Sequence, residues 1–463
     1  MITLAALAEK LASGKTTSRA LTEEALGRIE APGGEGKAAF VQVFREAALA
    51  SADASDRLRK AGVVPSPLAG IPVSVKDLTD VAGLTTHAGS ASRNGDPPAA
   101  RDAPVLARLR AAGAVVMGTT NMTEFALGGL GINPHYGDCK NPWDRATGRI
   151  PGGSSSGAAI SVTDGMAYAA LGTDTMGSVR IPAGLCGITG FKPTAARVPR
   201  DGIFPLSTTL DSVGPLANSV ECCALIDAIF AGEPPPKLEA MPVSGLRLGV
   251  PKTLMLDGLD PEVAKAFDAA LQKLSKAGAK IEEFDFPEIT EVADLNKRCG
   301  MSGVECYALH RKWLAIRSDK YDPRIAARML GQKGFEMADY YDALQLRAEL
   351  VTRSAGTTGR FDAVVMPTLP VIAPPISKFL ATEEGRKDGY PILIRNTSIG
   401  NYLDRCAVTI PCHEPGAAPV GFTVMGERMG DRRVLEAGSG IESVIATREK
   451  TSPGSVLISV FEA

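Results

Sequence analysis

The chain is poor in aromatic residues, carries almost no net charge and contains no long apolar run. Aromatic side chains make up 5% of its 463 residues, and the formal net charge is −2. Few aromatic rings argue against a protein that stacks nucleic-acid bases, and near-neutrality argues against electrostatic binding to nucleic acid or an anionic membrane. Because no run of about 18 apolar residues occurs, the sequence predicts no membrane span.

Cysteine spacing and the N-terminus exclude further classes. Eight cysteines are present, but none forms the C-x-x-C pair typical of zinc ribbons and thioredoxin-like redox sites. Glu9, Lys10 and Lys15 interrupt the stretch that a signal peptide would need to keep apolar. We therefore expect reduced thiols and a cytoplasmic protein. Since no H-E-x-x-H motif or dense carboxylate cluster occurs, we expect neither a metal nor a cofactor.

Strand-like and helical patterns alternate between residues 67 and 216. Residues 71–75 and 114–117 are short apolar runs typical of strands, and residues 104–112 have the spacing of a helix between them. Such alternation is typical of strands joined by helical crossovers. The sequence therefore predicts an α/β fold with a large mixed, mostly parallel β-sheet core covered by helices on both faces.

Two serines set among glycines, together with one lysine, are the chemically distinctive part of the chain. Ser154 lies in GGSSSG (152–157), Ser178 ends GTDTMGS (172–178), and Lys76 ends a strand-like run. Glycine-rich backbone can bring N–H groups close to a developing oxyanion. A nucleophilic hydroxyl, a relay hydroxyl and a neutral amine favour a serine hydrolase that needs no histidine. A carboxylate at Asp77, if paired with Lys76, would oppose the neutral state of the amine.

Simpler interpretations of these residues remain open. Ser178 is also suited to cap a helix N-terminus, and Lys76 to end a strand in water. The segment 153–157 fits the G-x-S-x-G elbow of α/β-hydrolases, which requires an acid and then a histidine further along the chain. His310 and His413 lie downstream, and neither has a sequence setting typical of a catalytic histidine.

Five motifs carry a resemblance to a known family. They are GIPVSVKD at 70–77, GTTNMTEF at 118–125, PGGSSSG at 151–157, GTDTMGSVRIPA at 172–183 and CGITGFKPT at 186–194. On these motifs the chain resembles the amidase signature family of serine hydrolases. The resemblance covers nearly the whole chain and is strongest between residues 68 and 215.

The resemblance implies a Ser-cis-Ser-Lys triad. Ser178 would be the nucleophile, Ser154 the relay serine and Lys76 the base, with a cis peptide bond between Gly153 and Ser154. It also implies an oxyanion hole made of main-chain N–H groups, those of Thr175, Met176, Gly177 and Ser178.

Three residues of the 172–183 motif raise structural questions. Relatives commonly have glycine where Met176 stands, so a loop that requires φ > 0 there would be strained by methionine. We expect Asp174 and Arg180 to be structural, bonding to each other and to backbone groups of the loop.

The resemblance implies an enzyme that hydrolyses a linear carboxylic or urea-type amide to an acid and ammonia or an amine, through a serine acyl-enzyme. The alternative is the amidase (glutaminase) subunit of a glutamine-dependent tRNA amidotransferase, which acts with partner subunits. A non-catalytic binding scaffold is a third possibility. Candidate substrate contacts are Met122, Thr123, Tyr307 and Arg311, with Arg395 and Asn396 as further candidates.

We expect a single amidase domain over residues 1–463. Residues 1–62 would form a helical segment packed on it, 68–215 the catalytic signature core and 299–354 a more variable helical region. The expected partner is a small-molecule amide, with no direct binding to nucleic acid or membrane. The oligomeric state stays open, with a homodimer as one option.

Overall fold

A single mixed sheet runs through the computed structural model, which describes residues 2–381 and 391–446. Eleven strands belong to this sheet in the described residues. They are β1 (Phe40–Val43), β2 (Pro72–Lys76), β3 (Val115–Thr120), β4 (Ala169–Asp174), β5 (Thr189–Lys192), β6 (Ser212–Ala217), β7 (Arg247–Pro251), β8 (Lys280–Phe284), β9 (Ala363–Pro367), β10 (Ala407–Pro411) and β11 (Gly421–Met425).

The order of strands across the sheet is β1-β3-β2-β4-β6-β5-β10-β11-β9-β7-β8. The pairs β2–β3, β2–β4, β7–β8 and β7–β9 are parallel, and the other six neighbouring pairs are antiparallel. The mixed sheet is therefore confirmed, but the expectation that it is mostly parallel is wrong. Helical crossovers join β2, β3 and β4 as predicted, whereas β6 returns antiparallel beside β4 and starts a run of antiparallel pairs.

The described chain also forms α-helices of varied length. They are Leu4–Ala12, Ser18–Ile29, Gly36–Ala39, Arg45–Lys60, Pro104–Ala111, Ser156–Thr163, Arg180–Cys186, Val220–Ala231, Pro261–Lys276, Pro287–Arg298, Met301–Arg317, Pro323–Leu330, Met337–Thr358, Ser377–Leu380, Ser398–Tyr402 and Asp431–Ile445. Within residues 2–381 and 391–446, none of them is long and apolar enough to cross a bilayer.

Apolar residues cover both faces of the sheet. In β3, Val116 belongs to one buried cluster, while Val115 and Met117 belong to another. The same alternation occurs in β4, where Leu171 and Ala170 pack into different clusters. Because successive strand side chains point to opposite faces, these strands are buried from both sides, as predicted.

The N-terminal segment packs onto this sheet through an apolar helix face. Leu4, Leu7 and Leu11 all lie in the main buried cluster, and the Thr3 hydroxyl caps their helix by accepting the Ala6 N–H. The strand β1 was not predicted within this segment. It pairs antiparallel with β3 and forms one edge of the sheet.

The strands β2 and β4 bring two distant motifs together. They are parallel neighbours, so Lys76 at the end of β2 and Asp174 at the end of β4 lie at the same edge of the sheet. The loop 175–179 follows β4 directly and leads into the helix Arg180–Cys186. The sheet thus sets the chemically distinctive segments side by side.

Candidate active site

Lys76 is fully buried, and its amine donates hydrogen bonds to two hydroxyl groups. Its Nζ donates to Ser154 Oγ at 2.7 Å and to Thr173 Oγ1 at 2.9 Å. Burial lowers the pKa of Lys76 from 10.5 to about 7, although the nearby carboxylates of Asp211 and Asp174 act to raise it. Removal of an ammonium from water disfavours its charged form, so a large fraction of neutral amine is present near neutral pH.

Asp77 does not share this environment. Its carboxylate accepts the Gly89 N–H at 2.9 Å, and burial raises the pKa of this carboxyl to about 7. Adjacent residues at the end of a strand point to opposite sides of the sheet, so Asp77 faces away from the amine of Lys76. The opposing ion pair considered from the sequence is therefore absent from the contacts of these two described residues.

Ser154 lies in a tight turn before the helix Ser156–Thr163. The peptide bond between Gly153 and Ser154 is cis, as the resemblance implies. A Cβ on Gly153 would lie 2.7 Å from the Gly131 nitrogen, so the close approach of this backbone requires glycine. The Thr123 N–H donates to the Ser154 carbonyl oxygen at 3.1 Å and fixes the other side of the turn.

Ser178 lies next to this turn and at the wall of a pocket. The Ser155 N–H donates to the Ser178 carbonyl oxygen at 3.3 Å, which joins the two serine segments. The pocket has a volume of about 100 Å³. Its lining residues are Ala126, Leu127, Gly128, Gly129, Thr175, Met176, Ser178, Leu206, Ser302, Arg328, Pro391 and Ile394.

Asp174 and Arg180 brace the loop that carries Ser178, and their predicted structural role is confirmed. Arg180 donates from Nε and Nη2 to the two carboxylate oxygens of Asp174, at 3.0 and 2.9 Å. Burial acts to raise the pKa of Asp174, but the charge and hydrogen bonds of Arg180 outweigh it and lower this pKa to about 2. Asn401 bridges the pair, because it donates to Asp174 and accepts from Arg180.

The four N–H groups expected to form an oxyanion hole are not equivalent. The Gly177 N–H donates to Asp174 Oδ1 at 2.8 Å, so it belongs to the internal hydrogen bonds of the loop. This corrects the expectation for Gly177. The N–H groups of Thr175, Met176 and Ser178 have no acceptor within the described part of the chain.

Methionine at position 176 fits its loop without a left-handed backbone. The positive φ falls on the next residue, Gly177, at 124°, and Met176 keeps a negative value. The Met176 carbonyl oxygen accepts from the Thr397 hydroxyl at 2.7 Å, and its sulfur accepts from Ser302 Oγ at 3.4 Å. The side chain therefore forms part of the pocket wall instead of straining the loop.

The four residues expected to contact substrate do not line this pocket. Met122 is buried in the main core, and Tyr307 packs against that core. Thr123 lies behind the Gly153 turn, 2.8 Å from where a Cβ of Gly153 would be. Arg311 is exposed. On the helix Met301–Arg317 it is Ser302 that reaches the pocket. Positions 307 and 311 lie on other faces of this helix because a turn takes 3.6 residues.

Arg395 and Asn396 also serve the structure, since they tie one loop to main-chain oxygens elsewhere. Arg395 donates to the carbonyl of Asp257 at 2.7 Å, and Asn396 donates to that of Pro367 at 2.8 Å. These contacts position the neighbouring Thr397, which holds the Met176 carbonyl.

Sequence reasoning missed several functional neighbours. The sequence assigns no role to Thr173, yet this residue is the second acceptor for Lys76. Arg328 and Ser302 line the pocket, but they lie outside residues 68–215, where the family resemblance is strongest. Of these residues, only Thr173 could have been identified from the sequence. It lies one residue before Asp174, near the end of a strand that pairs with β2, and Lys76 lies at the end of β2.

A histidine-based site finds no support in the geometry. His310 is buried, its Nδ1 lies 3.1 Å from the hydroxyl of Tyr321, and burial lowers its pKa to about 3. His413 Nδ1 accepts the Val420 N–H at 3.3 Å. Neither histidine lines the pocket beside Ser178. In the described ranges, no group of three or more His, Cys, Asp or Glu side chains is placed to hold a metal ion.

Comparisons with known proteins agree with this geometry. The amidase family model matches residues 20–435. The chain is 38% identical to a 2-amino-5-chloromuconic acid deaminase from Comamonas testosteroni, over 86% of each protein. It is 34% identical to a glutamyl-tRNA(Gln) amidotransferase subunit from Chloroflexus aggregans, over 96% of each. A crystal structure of an amidase superposes with a TM-score of 0.87 at 34% identity, covering 96% of this chain and all of the other.

The family match spans most of the chain, and the fold matches over nearly all of it. A buried lysine of lowered pKa bonded to a serine, beside a second serine at a pocket, is in keeping with that match. The chain belongs to the amidase family and is an amide-cleaving hydrolase.

Proposed function

We propose that Ser178 is the nucleophile, Ser154 the proton relay and Lys76 the general base of a linear amide hydrolase. The hydrogen bond from buried Lys76 to Ser154 is the observation that carries this proposal. A neutral lysine amine can replace the imidazole that activates serine in other hydrolases. The lowered pKa of Lys76 supplies this neutral amine near pH 7.

The reaction proceeds in two halves. The Ser178 hydroxyl passes its proton to Ser154, which passes its own to the amine of Lys76, as Ser178 Oγ attacks the amide carbon. The same relay returns a proton to the leaving nitrogen as the carbon–nitrogen bond breaks, and an acyl-enzyme remains. Water then attacks this ester, its proton follows the same relay, and the acid leaves with Ser178 restored.

The developing oxyanion needs donors that are not already engaged. The N–H groups of Thr175, Met176 and Ser178 meet this condition, whereas that of Gly177 donates to Asp174. Removal of one oxyanion donor in serine hydrolases typically costs about 10²–10³ in rate. The Asp174–Arg180 pair acts through this loop and is a positioning element.

A fluorophosphonate probe tests the nucleophile directly. The purified protein should be labelled at Ser178, and Ser178→Ala should lose both labelling and amide hydrolysis while it keeps the wild-type circular dichroism spectrum. Ser155→Ala is a matched control from the neighbouring turn, and it should be labelled normally. Labelling or near-normal turnover by Ser178→Ala would refute the assignment.

A glutaminase subunit is the second candidate function. The similarity to the Chloroflexus aggregans amidotransferase protein over 96% of each chain favours it. The similarity to a deaminase that acts on 2-amino-5-chloromuconic acid favours a free-standing enzyme instead. Hydrolysis of simple amides by the protein alone supports the free-standing enzyme, and glutaminase activity that appears only with added partner subunits supports the second function.

We further propose one domain and a cytoplasmic setting. All described strands belong to one sheet, so the chain offers no obvious boundary between independent cores. The eight cysteines are buried and unpaired, which suits a reducing compartment. The oligomeric state, including a homodimer, is a question for light scattering.

A further inference from the structure

One cation lines the pocket beside Ser178. It is Arg328, from the helix Pro323–Leu330, and its side chain is the single basic or acidic group among the twelve described lining residues. Nη1 donates to the Leu127 carbonyl oxygen at 3.1 Å. The same nitrogen lies against the backbone of Gly128, 3.3 Å from where a Cβ would stand. The guanidinium is thus held at the pocket wall.

Arg328 differs from its neighbour Arg324 in having no acidic partner among the residues that the structure describes. Arg324 forms an ion pair with Asp322 near the start of the same helix. No carboxylate of the described residues lies within ion-pair distance of Arg328, whose side chain reaches the pocket wall while remaining exposed to solvent. A guanidinium that no described carboxylate neutralises is suited to bind an anion, and its planar donors match a carboxylate.

The size and the charge of the pocket also limit which molecules can carry the bound anion. Its volume of about 100 Å³ is small beside the roughly 300–1,000 Å³ typical of ligand pockets, so one short molecule would span Ser178 and Arg328. The described lining contains no carboxylate to pair with an ammonium group. These features favour a substrate with a negative charge and disfavour one that also carries a positive charge.

We propose that Arg328 binds the carboxylate of the substrate, and that the substrates are short monoamides of dicarboxylic acids. The amide carbonyl lies at Ser178, and the carboxylate at the other end of the molecule pairs with Arg328. Glutamine has the same two groups plus an ammonium, for which the described lining offers no acidic partner. The inference rests on the proposed function and adds the substrate class of that same site.

Three substrates of equal chain length separate the contributions. Glutaramate carries amide and carboxylate, pentanamide replaces the carboxylate by a methyl group, and glutamine adds the ammonium. The wild-type enzyme should prefer glutaramate in kcat/KM over both others. Arg328→Gln should raise KM for glutaramate about 10–100-fold, the loss expected for a hydrogen-bonded charge pair, and should leave pentanamide nearly unchanged. Arg311→Gln, an exposed arginine outside the pocket, should leave all three unchanged.

A binding measurement keeps the test independent of catalysis. Glutarate should raise the thermal unfolding midpoint of the wild type and of Ser178→Ala, and this shift should vanish in Arg328→Gln. An equal effect of Arg328→Gln on pentanamide and glutaramate, or a preference for glutamine, would overturn the inference while the amidase mechanism stands. If no amide is cleaved and Ser178 is not labelled, the proposed function fails. In that case, an increase in the unfolding midpoint with glutarate that depends on Arg328 would still support the anion site. No such increase would overturn the anion site as well.

Discussion

Lys76 Nζ lies 2.7 Å from Ser154 Oγ, and neither residue is exposed to solvent. The sheet produces this contact, because β2 ends at Lys76 beside β4 and the Ser154 turn closes over the same edge. Burial sets the protonation state of the Lys76 amine, and the hydrogen bond orients this amine toward Ser154.

The protonation state of Lys76 predicts a pH dependence. A base must be neutral, and burial lowers the pKa of Lys76 to about 7, so kcat/KM should rise with pH and level off above about 7. Steady-state kinetics between about pH 5 and 9 measures this limb. Asp77 also has a pKa raised to about 7 by burial, so Asp77→Asn is the control. If the inflection disappears in Asp77→Asn, the rise in kcat/KM with pH reports the ionisation of Asp77, and the assignment to Lys76 is wrong.

The three consecutive serines offer a matched comparison. Ser154→Ala removes the relay hydroxyl bonded to Lys76 and should lower kcat by about 10²–10⁴. Ser156→Ala removes a buried hydroxyl that has no hydrogen-bond partner among the described residues, so activity should stay within a few-fold. Equal losses in both variants would show that the turn, and not the relay, was damaged.

Thr173 should tune Lys76 without touching the substrate. Its hydroxyl accepts from Nζ at 2.9 Å and so stabilises the charged amine. Thr173→Val keeps the shape and removes this acceptor, which should lower the pKa of Lys76 and move the pH–rate inflection downward. The amine also loses one of its two restraints, so kcat should fall by about tenfold. A lower kcat with an unmoved inflection would indicate a packing defect only.

The buried pair of Asp174 and Arg180 should be sensitive to loss of charge. Asp174→Asn leaves the Arg180 guanidinium buried without its counter-charge, and should cost about 3–5 kcal/mol of stability. Thermal unfolding followed by circular dichroism measures the change. Glu23→Gln, which removes an exposed ion pair with Arg19, should cost less than about 1 kcal/mol. Similar midpoints for the two variants would contradict the bracing role of the pair.

Gly177 should tolerate no side chain. Its φ is 124°, and a Cβ would lie 2.2 Å from Thr397 Oγ1, so Gly177→Ala should displace the Met176–Ser178 loop and abolish activity. Gly416 also has a positive φ, of 80°, but a Cβ there would meet no atom within 4 Å. Gly416→Ala should therefore destabilise by about 1 kcal/mol and stay active, and equal activity of both alanine variants would argue against the clash.

Local pattern located the main elements of the catalytic half correctly. The strand predicted at 71–75 is Pro72–Lys76, the strand at 114–117 is Val115–Thr120, and the helix at 104–112 is Pro104–Ala111. These elements are recognisable because apolar spacing and caps act within a few residues. The antiparallel strands β5 and β6 were not recognisable from the sequence, because glycine and proline interrupt the apolar pattern within them. Their pairing also depends on partners that are distant in the chain.

By itself, the sequence determined the family, and with it the pairing of Lys76 with a glycine-flanked serine, because glycines and hydroxyls at fixed spacing are local requirements of the chemistry. Tertiary structure decided which N–H groups of the loop stay unengaged and which side chains reach the pocket. Arg328 lies 150 residues beyond Ser178 in the chain, and only the packing of separate helices on one sheet brings such groups to a common cavity.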